Sequence, residues 1–233
     1  MLAQTPASGA SGCTGASPAN WIEVGDMALD QRFTSLNRFL DVLFALAFFR
    51  AVQFLPAFQD QRWLHQPGAI FGLLEGEPTN LTRVVFGLIV VAYFWCRKNT
   101  LLSMVERSNA AFEALSIAAV AFVFLFLYAL EADPTYIGGP PTLLLQSLSL
   151  LVASLFGFAA LRYAIAAGLA PRASRSAAEQ IARVDLSNPL TAAVAAALAW
   201  SGLTVWTLSW FVLMPLFSAL LARTGRNAGK SHA

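Results

Sequence analysis

The chain has 233 residues, of which 57% are hydrophobic and 12% charged, with a formal net charge of +2. A mean hydropathy of +0.61 excludes an ordinary soluble domain, which needs far more polar surface. The near-balanced charge gives no case for nucleic acid as a partner. The long apolar runs lack the alternating polarity of barrel strands, so the expected fold is an all-α integral membrane protein in a lipid bilayer.

The first thirty residues are rich in Ala, Ser, Gly and Pro. They lack the basic start and apolar core of a signal peptide. Residues 1–34 therefore read as a disordered or interfacial tail, with Trp21 to Asp30 mildly amphipathic. Residues 35–222 read as a transmembrane domain of six helices, and residues 223–233 as a basic cytoplasmic tail.

The first span is expected from about Leu36 to Leu55. The second runs from about Leu81 to Trp95, after the acidic EGEPTN. The third covers about Ala110 to Leu130 and stops before Asp133-Pro134. The fourth covers about Leu143 to Leu169, after the turn Gly138-Gly139-Pro140-Pro141. The run Leu190 to Ala222 is too long for one ordinary span and just long enough for two short ones. Ser201-Gly202 is the natural turn between them. Ser174 to Ser187, with Ala177, Ile181 and Val184 among polar neighbours, reads as a short cytoplasmic helix or a helix extension.

Six spans place Arg32, Arg38, Arg97, Lys98, Arg107, Arg162, Arg172, Arg175, Arg183, Arg223, Arg226 and Lys230 on one side. Arg62 and Arg83 fall on the other, among Asp60, Glu75, Glu77, Glu131 and Asp133. Positive residues mark the cytoplasmic side, so both termini are expected inside, in a plasma (inner) membrane. Asn80-Leu81-Thr82 fits a glycosylation pattern but lies too close to the membrane to serve as an acceptor.

No zinc-protease motif, nucleophile elbow or phosphate loop occurs, so an enzyme is not expected. His65 reads as a solvated loop residue and His232 as inert in the tail. Cys13 and Cys96 are isolated thiols, so neither a disulfide nor a metal or other cofactor is expected. The aromatic residues Phe122, Phe124, Phe126, Tyr128, Trp200, Trp206 and Trp210 read as packing or interface anchors.

The informative stretch is Ser35 to Pro56, SLNRFLDVLFALAFFRAVQFLP, which carries Asp41 and Arg50. A charge in hydrocarbon costs a few kcal/mol or more, so such residues face protein or water. Nine residues apart, the two lie on roughly opposite sides of a helix and cannot pair within it. Arg38, three residues before Asp41, is close enough to pair with it. Asp41 lies about one turn inside the cytoplasmic end. It reads equally as a structural latch or ion-path carboxylate and as an interfacial group reaching water. Arg50, about one turn from the outer end, reads either as snorkelling outward or as a positive ring that would repel cations. Paired charges near the midplane and broken helices, the marks of a secondary transporter, are missing.

FLDVLFALA, from Phe39 to Ala47, resembles the first-helix motif of the transmembrane protein 175 (endolysosomal-type) potassium channel family. That motif is Arg-x-x-x-Phe-Ser-Asp followed by a pattern like Gly-Val-Phe-Ala-Ile-Ala. Phe39, Asp41, Phe44, Ala45 and Ala47 match it, and Leu46 stands where the family has isoleucine or leucine. Phe86 to Trp95, LLSMVERSNAAFEAL and WSGLTVWTLSWFVLMPLF are similar to the family's later helices.

The resemblance implies a homotetrameric ion channel for a monovalent ion, with potassium the expected one. Its first helices would line the pore. Phe39 and Asp41, with Arg38 in place of the motif arginine, would be structural residues. Leu46 would be the hydrophobic constriction, with Phe49 and Gln53 as further pore positions and Arg50 as a selectivity modifier. Ser35, Leu40, Phe49 and Lys98 depart from the family pattern. These departures keep open a second reading, a non-conducting membrane scaffold or sensor that retains the fold.

Overall fold

The computed structural model describes residues 18–53, 78–131, 139–171 and 175–230. Cys13, the loop containing His65, Asp133-Pro134, Arg172 and His232 lie outside them. The described residues are helical, with no strand among them. The helices are α1 (Pro18–Val52), α2 (Pro78–Leu102), α3 (Ala110–Glu131), α4 (Pro140–Ala166), α5 (Arg175–Asp185), α6 (Ser187–Ala197) and α7 (Leu203–Lys230). A short 3-10 turn, Leu198–Ser201, extends α6.

Local chemistry sets these boundaries. Asn109 caps α3, its Oδ1 accepting from the Phe112 backbone N–H at 3.0 Å, which satisfies a donor that the first turn leaves free. α4 starts on Pro140-Pro141 behind Gly139, where a missing N–H does no harm. It ends at Gly168, with φ +69°, and the Leu169 N–H reaches back to the Ala164 carbonyl at 2.9 Å. This is a left-handed glycine closure of a helix. Gly202, at φ 93° and ψ 164°, separates the α6 extension from α7, so the expected turn at Ser201-Gly202 is found. Few residues other than glycine adopt that backbone conformation.

Among the described residues, four helical segments are long and apolar enough to cross a bilayer: Val84–Leu102, Ala110–Glu131, Pro140–Ala166 and Thr204–Arg223. The chain is therefore a multi-pass, all-α membrane protein. α1 carries three charges between Arg38 and Arg50 and is not among the four. α6 with its 3-10 turn is short. α5 is a short helix where one was expected, but it buries Ala178 and Ala182, while Ala177 is exposed and Ile181 and Val184 are half-buried. α1 begins well before Ser35 and is unbroken through Trp21–Asp30, and α7 continues past Arg223 to Lys230.

The core joins all the long helices through Leu40, Phe44, Val91, Phe126, Leu150 and Trp206. α3 and α4 make the most extensive contact. Small residues let α4 and α6 approach closely, with Ala153, Ala160, Ala164, Ala192, Ala195 and Ala199 all buried. That packing device suits helices in lipid, where apolar attraction between them is weak. The Trp206 indole N–H donates to Ser147 Oγ at 2.7 Å, so its one polar atom is satisfied inside the bundle.

Candidate functional site on the first helix

Five residues of α1 face inward: Leu36, Leu40, Phe44, Ala47 and Ala51 are all buried. At 3.6 residues per turn they form one stripe, directed at α2 and α3. Gly87 of α2 allows the close approach. A Cβ there would lie 3.3 Å from Leu130 and 3.5 Å from Ala51.

The opposite side carries Phe39, Val42, Leu46 and Phe49, each about half exposed or more, and the exposed Gln53. Their spacing is three, four, three, four. This spacing places them on one face of the helix, the spacing a helix–helix seam would use. The predicted positions Leu46, Phe49 and Gln53 thus share one face, and Phe39 joins them rather than packing inward. Val42 belongs to the same seam and was not anticipated, although the spacing alone identifies it. Exposed Arg38 and Ser35 lie towards its N-terminal end.

Ionic ties hold this face outward. On one flank, Asp41 Oδ1 accepts from Lys98 Nζ at 2.6 Å and from the Trp95 indole N–H at 3.2 Å. Lys98 Nζ also donates to Asn37 Oδ1 at 2.9 Å. The partner of Asp41 is therefore on α2, and the helical neighbour Arg38 does not take that place. Lys98 is nearly buried, whereas Asp41 remains 48% exposed.

The other flank faces α3. Arg32 forms a two-pronged pair with Glu113, Nε to Oε1 at 2.7 Å and Nη2 to Oε2 at 2.9 Å. Ser108 Oγ donates to Glu113 as well, at 2.9 Å. Arg50 pairs with Glu131 and donates to Gln53 Oε1 at 2.8 Å. Its charge is thus matched within the chain and drawn to the side of the seam.

Arg32 and Arg50 are 18 residues apart, and so are Glu113 and Glu131. Eighteen residues make five complete turns and about 27 Å of rise. Both pairs can form only if α1 and α3 run parallel and in register. Asp41 lies midway between them along α1, nine residues from each.

A second buried cluster escaped the sequence reading. Arg97 Nη2 donates to Asp185 at 2.5 Å and to the Ser154 carbonyl at 3.2 Å. Asp185 accepts from the Asn188 side-chain amide at 2.9 Å, and the Tyr93 hydroxyl donates to Asn188 Oδ1 at 2.5 Å. Arg97 also lies over the Phe94 ring, 5.8 Å from its centre. Gly157 leaves room for the guanidinium, since a Cβ there would stand 3.1 Å from it. The cluster ties α2 to α4, α5 and α6. Cys96 is a free, exposed thiol. Among the described residues no group of acidic, histidine or cysteine side chains could hold a metal ion.

No protein-family model, curated protein or solved structure matches this chain.

Proposed function

We propose that the chain is one subunit of an oligomeric membrane channel for a monovalent ion, with the outward seam of α1 lining the pore. The observation that carries this reading is the heptad-spaced seam, clamped outward by ion pairs on both flanks. A face meant only for lipid does not need a half-exposed carboxylate at its edge.

In the assembly, copies of α1 meet around an axis. Leu46 forms the narrowest apolar ring, which conducts when it widens and wets. Phe49 and Gln53 continue the lining outward. With Arg50 paired to Glu131, the outer mouth carries no net charge from this pair. The reading includes six spans with both termini cytoplasmic. α1 crosses beside α3 because the two ion pairs bracket a length close to the hydrocarbon thickness. α6 with its 3-10 turn forms the short fifth span. Potassium, a homotetramer and the inner membrane are the finer parts of the proposal. They rest on the resemblance of the first-helix motif.

One observation favours a second reading. The seam has no polar side chain between Arg38 and Gln53, as suits a closed helix–helix contact in a scaffold or sensor. Flux into liposomes separates the two. The channel reading expects cation flux that rises several-fold in Leu46→Ala. Absence of potassium, sodium and chloride flux across a range of pH and voltage overturns it in favour of the scaffold. Conduction unaffected by Leu46→Ala removes the gate assignment.

A further inference from the structure

Behind α1, on the side away from the seam, lies a cavity of about 490 Å³. This is within the usual range for small-molecule sites. Its walls come from α1 to α7, and most are apolar: Phe44, Val120, Ala153, Leu161, Ile181 and Val184. The buried cluster of Tyr93, Arg97, Asp185 and Asn188 forms one polar wall. The exposed side chains of Cys96, Thr100 and Gln180 also border the cavity.

Ser116 stands in the lining at 6% exposure, and its hydroxyl has no hydrogen-bond partner. A buried hydroxyl left unpaired in apolar surroundings is costly, and a bound group that pairs with it recovers that cost. The charges at the cavity are already spent on one another, Arg97 on Asp185 and Lys98 on Asp41. An anionic ligand would have to displace Asp185, and a cationic one would meet Arg97 and Lys98.

We propose that this cavity binds a neutral, single-chain amphiphile, with the chain along the apolar wall and a hydroxyl head group on Ser116. The inference does not depend on whether the seam conducts, because the cavity lies wholly within one chain.

The test uses the full-length protein in nanodiscs and a long-chain alcohol bearing a photoreactive diazirine, with monoacylglycerol as competitor. Saturable labelling of the peptides containing Ser116, Ile181 or Val184 is expected, suppressed by the competitor. Ser116→Ala should weaken it about threefold to tenfold. Ala119→Phe, which fills the cavity, should abolish it while labelling of the exposed Leu208 and Phe211 continues. If that variant does not fold, Val184→Phe serves the same purpose. Labelling confined to Leu208 and Phe211, or unchanged by filling the cavity, overturns the proposal. A carboxylate-headed probe of equal chain length that labels as well as the alcohol overturns the neutral head group.

Discussion

Removing the Asp41 carboxylate should harm the protein more than removing its partner does. Lys98 Nζ has two acceptors, Asp41 at 2.6 Å and Asn37 at 2.9 Å. Its side chain is 7% exposed, against 48% for Asp41. Asp41→Ala leaves a nearly buried ammonium with a single amide oxygen. Breaking a fully buried pair costs about 3–5 kcal/mol. The half-exposed carboxylate was partly solvated beforehand, which lowers the expected loss to about 2–3 kcal/mol. For a chain of this size each kcal/mol moves a thermal midpoint by roughly 2–4 °C, so the shift should be about 4–12 °C. Lys98→Met removes the buried charge and leaves Asp41 with water and the Trp95 N–H, at a cost of about 1 kcal/mol. The double variant Asp41→Ala/Lys98→Met should regain most of the loss. Heating in mild detergent followed by fluorescence-detected size exclusion measures all three. The reasoning fails if Lys98→Met is as damaging as Asp41→Ala, or if the double variant is no better than Asp41→Ala alone.

The same assay checks two further expectations. Arg50→Gln breaks a pair whose members are 40% and 42% exposed, so it should cost under about 1 kcal/mol. Asp185→Ala breaks one that is 14% and 11% exposed, so it should cost about 3–5 kcal/mol; equal midpoints for the two variants would contradict the burial argument. Gly202→Ala meets no steric obstacle, since nothing lies within 4 Å of a Cβ there. Its expected loss of about 1–3 kcal/mol comes from the backbone conformation alone, and an unchanged midpoint would show that the break between α6 and α7 can relax.

What was legible in the sequence was local. Glycine and proline act on their own backbone, so the break at Gly202 could be placed from residue types, whereas the expected turn through Pro140-Pro141 is instead the first turn of α4, which begins before the expected Leu143. The helix α5 was visible because helix-compatible residues among polar neighbours need no partner to be recognised, but its buried face on Ala178 and Ala182 was not. The common face of Leu46, Phe49 and Gln53 follows from helical geometry. The partners of the charges were not legible, because Lys98, Glu131 and Asp185 are distant in sequence from what they bind. Arg38 was the nearest cation to Asp41 in sequence, yet the inward stripe of α1 turns Asp41 towards α2. One long-range signal was present and unused. Arg32 and Arg50 repeat at five helical turns, and so do Glu113 and Glu131.

On the proposed six-span reading, that repeat bears on how α1, with its charges, would sit in a membrane. A lone helix carrying Arg38, Asp41 and Arg50 would place several costly charges in or near hydrocarbon. Against α2 and α3, Asp41 meets Lys98, and Arg32 and Arg50 meet glutamates at the two ends of the same face. Arg32, Asp41 and Arg50 are matched only when the three helices are assembled, while Arg38 stays exposed, so a membrane-crossing α1 would depend on tertiary contact. The ties also fix its rotation. In projection at 100° per residue, Asp41 lies at one edge of the exposed arc and Arg50 at the other. Turning α1 by a single residue step would pull both from their partners and bury part of the seam. The residues that make α1 a poor membrane helix in isolation are therefore those that hold Phe39, Val42, Leu46 and Phe49 outward, where another copy of the chain can meet them.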